Sequence, residues 1–304
     1  MKTGGFRGAL LPFLITVSFL AMAVSFLPTN RVSAAPDGLT SHDPIYIEGN
    51  AGFTAANGVV AGSGTAGDPY IIENWDISAE NANGIEIRNT TAYFIVRNCL
   101  VENGRNRYGI YLYRSSNSTL ENNACSKNGC GIMLYFTHNS TLTNNRCDNN
   151  LYNFSVMEGY DHDIDNSNLV DGRPIYYLRD QKNEVIGPSL NPGYVGLVRC
   201  DNIRVENLLL GNNGEGILLF YTENSRIDNC TFFNNGFGMR LLYSGNNELI
   251  NNTCDNNDYG IQPQSSDNNT LLNNMCSNSS YYGIRLWSSD NNALTNNTCS
   301  NNID

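Results

Sequence analysis

Along the chain, apolar residues recur in short bursts, each a glycine followed by an alternating pair: Gly84-Ile85-Glu86-Ile87, Gly109-Ile110-Tyr111-Leu112, Gly131-Ile132-Met133-Leu134, Gly216-Ile217-Leu218-Leu219, Gly238-Met239-Arg240-Leu241 and Gly283-Ile284-Arg285-Leu286, with Gly260-Ile261 keeping step. Asn153-Phe154-Ser155-Val156, Pro174-Ile175-Tyr176-Tyr177 and Gly196-Leu197-Val198 bridge the gap, giving successive steps of 25, 22, 22, 21, 22, 20, 22, 22 and 23 residues. A second marker, apolar-x-x-Asn-x-Cys, recurs from Leu120 to Cys125, Leu142 to Cys147, Leu249 to Cys254, Leu271 to Cys276 and Leu294 to Cys299; Val101, Leu210 and Phe232 fill the cysteine position elsewhere.

Each unit therefore predicts two or three strands of about three to five residues, separated by Asn/Gly/Ser turns. Strands that short cannot bury a core alone. Stacking unit on unit aligns equivalent residues about 4.8 Å apart and makes continuous inward columns of Ile, Leu and Cys. The predicted fold is all-β, a right-handed parallel β-helix of about ten coils, because a 22-residue coil exceeds the six-residue-triplet, left-handed kind. A leucine-rich repeat is excluded by returning segments such as Ser-Ser-Asn-Ser-Thr, and the nine-residue glycine-aspartate calcium repeat is absent.

Composition agrees. The 49 Asn and 28 Gly disfavour long helices and suit left-handed turns. The net charge of -11 argues against nucleic acid and anionic membrane surfaces as partners. Residues 1–34 have the layout of a secretory signal: Lys2 and Arg7, an apolar run from Ala9 to Leu27, and small residues at Ser33, Ala34 and Ala35. Cleavage after Ala34 removes Lys2, Arg7 and Arg31 and no acid, taking the charge from -11 to -14. The expected product is exported to the periplasm, cell surface or medium, with no integral membrane domain. Residues 35–42 read as a linker and 43–304 as the solenoid, with an N-terminal cap and first coil at 43–83 and an interrupted coil with an insert at 158–195. No C-terminal cap is evident, which predicts that further coils or another chain cover that end.

The stretches Gly62-Ser63-Gly64-Thr65-Ala66-Gly67-Asp68-Pro69-Tyr70-Ile71-Ile72-Glu73, Tyr93 to Cys99, and His162 to Asn168 leading into Asp171-Gly172-Arg173-Pro174-Ile175-Tyr176-Tyr177-Leu178 resemble NosD-like proteins of the pectate-lyase-like superfamily. The resemblance runs from about Pro44 to the C-terminus. It implies the β-helix, a periplasmic accessory role, copper, and a transporter or copper enzyme as partner.

Copper favours thiolate, thioether or imidazole. The chain offers nine Cys, six Met and three His. Cys125, Cys147, Cys254, Cys276 and Cys299 occupy the inward slot and read as small hydrophobes; Cys130 and Cys200 break the ladder and are expected to be exposed. The densest polar cluster, Asp161, His162, Asp163 and Asp165, is the candidate for catalysis or for a metal such as copper or calcium. Its alternative is a solvated turn in which His162 and Asp165 tie the insert down. Hydrolase carboxylate patterns are missing; Arg240 and Arg285 share an outward slot without an accompanying Asp column, which argues against a lyase. One residue past each inward pair stand Tyr113, Tyr135, Met157, Phe220 and Trp287, with Phe136, Tyr221 and Tyr243 beside them. If solvent-facing, Tyr113, Tyr135, Phe220 and Trp287 form an aromatic strip on which sugar rings stack. The first reading is a noncatalytic module for a polysaccharide or cell-surface component. The second is a copper-delivery accessory, and the third a polysaccharide lyase, epimerase or hydrolase.

Overall fold

The structure is a computed structural model that describes residues 38–303. The expected signal and the start of the expected linker lie outside the described residues. From Thr40 onward the chain winds in coils whose strands stack in parallel, residue on equivalent residue, as the spacing predicts. Ile72, Val96, Leu120, Leu142 and Ile164 form one inward column, and Ile77, Val101, Cys125, Cys147 and Val170 another. All of these are buried.

Asparagine makes the corners, and it does so in pairs. In Asn122-Asn123, Asn144-Asn145, Asn251-Asn252 and Asn273-Asn274 the first residue turns the chain with a left-handed φ of 53–55°, while the second points into the coil. That buried amide is fully used. Asn145 Oδ1 accepts from the Asn123 backbone N–H and its Nδ2 group, and Asn145 Nδ2 donates to the Leu120 carbonyl. Asn252 and Asn274 repeat the pattern. The short strands leave backbone groups unpaired at every corner, and the amide ladder satisfies them.

The stack is not continuous. The even spacing through Asn153, Pro174 and Gly196 predicts one column, yet Tyr152–Met157 ends a five-stranded sheet, while Arg173–Arg179 starts the second part of a twelve-stranded one. Between them Leu169–Val170 and Arg173–Arg179 form an antiparallel hairpin through Asp171 (φ 47°) and Gly172 (φ 73°), the two-residue Asp-Gly loop that matches strand twist. Antiparallel partners share a face, so Ile175 and Tyr177 lie with Val170 in the first core. Tyr176 and Leu178, on the opposite face, begin the second. The strand direction and the inward face therefore reverse together. The two stacks are related by a half turn about the stacking direction, an operation that preserves their hand, and they build their cores on opposite faces of one shared sheet.

Consequently the outer face of the second stack meets the end of the first. Tyr194, Val198, Leu218 and Leu242 pack into the first core beside Phe154 and Tyr160. The free edge of Tyr152–Met157 is closed by the chain at 212–215: Asn153 N–H donates to the Asn212 carbonyl, Gly214 N–H to that of Phe154, and Val156 N–H to the Glu215 carboxylate.

Candidate functional site

The proposed acidic cluster does not converge. His162 is 1% exposed, its Nε2–H donates to the Gly159 carbonyl at 3.0 Å, and its Nδ1 accepts from Ser140 N–H at 3.3 Å. Burial pushes the imidazole pKa down to about 4, so it sits neutral with both nitrogens engaged. Asp161 turns to Arg179 and Arg199, at 3.1 and 3.3 Å. Asp165 accepts from the backbone N–H and hydroxyl of Ser167, closing a turn, and Asp163 stays exposed.

The cysteines also differ from expectation. Cys130 and Cys200 are buried, not exposed, because the outer face at Cys130 is covered where the two stacks meet and Cys200 follows the strand Tyr194–Val198 into the second core. All nine thiols are free and only Cys299 is exposed. Burial raises the Cys130 thiol well above its usual range. A thiol reagent applied to the folded protein should therefore modify one cysteine of nine, at Cys299, and reach the rest only on unfolding; rapid labelling at Cys130 or Cys200 would contradict the junction as described.

At that junction the sequence conceals a buried charge cluster. Glu215, with no solvent exposure, accepts from Ser155 Oγ, Tyr194 OH and Val156 N–H, and pairs with Arg240 at 3.4 Å. Arg240 also reaches Glu158 across the two stacks at 3.4 Å and lies over the Phe237 ring. Desolvation outweighs these partners and lifts the Glu215 carboxyl to about 7. Arg240 points outward, as its slot predicts, but into the junction and away from solvent. Glu215 is too deeply enclosed to touch a ligand, so the cluster joins the stacks.

The aromatic slot behaves differently from its neighbour. Tyr113 and Tyr135 lie 5.5 Å apart on the outer face of the first stack, both half-buried. Phe220 is covered by Tyr160 at 4.1 Å, so it is no solvent-facing platform, and Trp287 is exposed at the far end of the second stack. The strip is thus broken where the stacks change face. Besides Trp287, exposed rings stand one residue later: Phe136 at 38%, Tyr221 at 52% and Tyr243 at 48%. Tyr221 and Tyr243 stack at 5.0 Å, and Phe136 lies 4.7 Å from Tyr135.

These three rings occupy an unusual backbone position. Three of the four left-handed turns in a coil are made by Asn almost without exception, Lys127 being one. The fourth holds Asn89, Arg114, Phe136 and Glu158 in the first stack, then Asp180, Arg199, Tyr221, Tyr243, Ser265 and Ser288 in the second. For Phe136 (φ 53°), Tyr221 (48°) and Tyr243 (50°) this conformation costs on the order of 1 kcal/mol each, which Asn largely avoids.

With this architecture and surface in view, the molecule is a right-handed β-helix protein: residues 41–190 match the family described as right handed beta helix region. Residues 161–304 match the family described as periplasmic copper-binding protein (NosD). No curated protein matches it. Among solved structures it is similar to the Azotobacter vinelandii mannuronan C-5 epimerase AlgE4 A-module, 16% identical over 87% of this chain and 88% of that one, with a TM-score of 0.34. It is also similar to pectate lyase Pel9A, 15% identical over 85% of this chain and 68% of that one, with a TM-score of 0.33. At such identities nothing of their chemistry carries across.

The donor set does not fit copper. Among the described residues no three His, Cys, Asp or Glu side chains converge. Eight thiols are buried, and His162 has no free nitrogen. No helix among the described residues is long and apolar enough to cross a membrane.

Proposed function

We propose that this chain is an exported, noncatalytic glycan-binding module of the periplasm or cell surface, which holds saccharide rings against Phe136, Tyr221 and Tyr243. The observation that carries this reading is the placement of exposed bulky rings at the one left-handed turn of the coil that Asn rarely makes. Backbone strain retained at exposed positions points to a functional role. The aromatic face supplies the apolar platform that a sugar's C–H face requires. Catalysis is not part of the reading, because the acidic cluster is divided among ion pairs and turns and Glu215 is enclosed. The family match alone points to copper delivery, a second reading that the donor set does not support and that copper titration tests directly.

Affinity electrophoresis of the mature chain through gels cast with neutral and acidic polysaccharides tests the proposal. Retardation is expected without clearing of the gel, and Phe136→Ala or the Tyr221→Ala/Tyr243→Ala pair should weaken it roughly fivefold or more. Clearing would make the chain an enzyme, and unretarded migration in every gel would end the glycan reading. Phe136→Asn separates binding from folding. It should weaken retardation as Phe136→Ala does, yet leave the denaturation midpoint unchanged or higher, because Asn relieves the left-handed strain. A lowered midpoint would show that Phe136 serves the fold.

A further inference from the structure

Most arginines of this acidic chain are spoken for. Arg88 contacts Glu48 and Glu86, Arg97 contacts Glu73, and Arg226 contacts Asp228 and Glu248, while Arg240 is held by Glu158 and Glu215. Arg114 is different. It is exposed, stands at the ring-bearing left-handed turn (φ 46°), and has no carboxylate partner among the described residues. Its guanidinium lies 5.2 Å from the Tyr113 ring centre and 5.6 Å from that of Phe136. Arg88 approaches the same Tyr113 ring at 5.1 Å. Arg285 repeats the arrangement on the second stack, 4.8 Å from both Tyr282 and Trp287 and likewise without a carboxylate.

A guanidinium lying over aromatic rings has its plane fixed while its N–H groups remain free at the edge. That is the geometry in which arginine donates two parallel hydrogen bonds to a carboxylate or sulfate. Arg105 and Arg107 also lack carboxylates, but neither lies over a ring, so lack of a partner alone does not produce the feature. From these contacts we infer that the glycan is anionic and that Arg114 pairs with its carboxylate or sulfate while the sugar rests on Phe136, with Arg285 and Trp287 offering a second such subsite. The inference rests on the glycan-binding reading and narrows it to one substrate class. The mature chain's charge of -14, that is -11 less Lys2, Arg7 and Arg31, repels a polyanion, but that repulsion is screened beyond about 8 Å at physiological ionic strength, so contact-range pairing decides.

Three probes of matched length test it: a neutral gluco-oligosaccharide, an oligouronate and a sulfated galactan oligosaccharide, each titrated against the mature chain and its Arg114→Gln, Arg285→Gln and Phe136→Ala variants. The charged probes should bind roughly tenfold more tightly than the neutral one, the size of one charge-assisted pair. Arg114→Gln should remove most of that preference without changing neutral binding, and adding Arg285→Gln should abolish it. Phe136→Ala should weaken all three probes alike. A preference for only the uronate or only the sulfated probe, lost in Arg114→Gln, supports the inference and identifies the anion. Equal binding of neutral and charged probes, or a preference that survives both arginine changes, overturns it while glycan binding stands. If no probe binds, both readings fall together.

Discussion

The Glu215→Gln chain should lose stability steeply between pH 6.5 and 4.5, by on the order of 3 kcal/mol in urea unfolding, over a range in which the unaltered chain barely changes. Two buried groups with opposite signs cause this. His162 titrates near 6.5 when unfolded and at about 4 when folded. Its contribution is therefore fully present above 6.5 and is lost as pH falls toward 4, because the unfolded chain takes up a proton that the folded one refuses. Glu215 titrates near 4.5 unfolded and at about 7 folded, so its contribution is fully present below 4.5 and is lost as pH rises toward 7. Between 4.5 and 6.5 the slopes oppose. The lowered carboxylates Asp180, Asp201 and Glu48 are paired at the surface and add little. Removing the titrating carboxyl exposes the histidine slope, and His162→Gln should expose the reverse one, with stability rising as pH falls. Flat profiles in both variants would show that neither group is buried as described.

Arg240→Met, measured at pH 8, should cost about 3–5 kcal/mol, because the buried Glu215 carboxyl loses its cation and must either stay charged unpaired or take up a proton. Adding Glu215→Gln should recover most of that loss, since the amide can still accept from Ser155 and Tyr194 and carries no charge. Paired urea titrations of the single and double variants read this directly. Equal loss with and without Glu215→Gln would mean that Arg240 acts through its packing on Phe237 instead.

Much of the fold was legible because solenoid coils repeat their chemistry. The Gly-apolar steps locate the coils, and the Cys column falls on the inward slot filled elsewhere by Val101, Leu210 and Phe232. The Asn-Asn doublets also carried a readable signal, one residue turning and one buried, that periodicity of apolar positions passes over. The half turn between stacks was hidden by coincidence: the steps through Asn153, Pro174 and Gly196 stay near 22 while the strands change sheet. Asp171-Gly172 was the local sign of a hairpin there. Glu215 and Arg240 stand on neighbouring strands of one stack, but their burial was illegible because it depends on that change of face. Of the surface, the aromatic slot was visible, but which of two adjacent residues faces solvent turns on the left-handed φ at Phe136, Tyr221 and Tyr243, and aromatic residues rarely adopt it.

The shared sheet also sets how the molecule bears load. A tether joining two solenoids end to end would concentrate tension in one exposed linker. Here a pull along the stacking direction passes from the Leu169–Val170 strand into Arg173–Arg179 through the backbone hydrogen bonds of a sheet covered by a core on each face. The seam is therefore reinforced on both sides, whereas each outer coil is gripped only by its neighbour. Under tension the two stacks should unravel coil by coil from the coils farthest from the seam, with the seam yielding last.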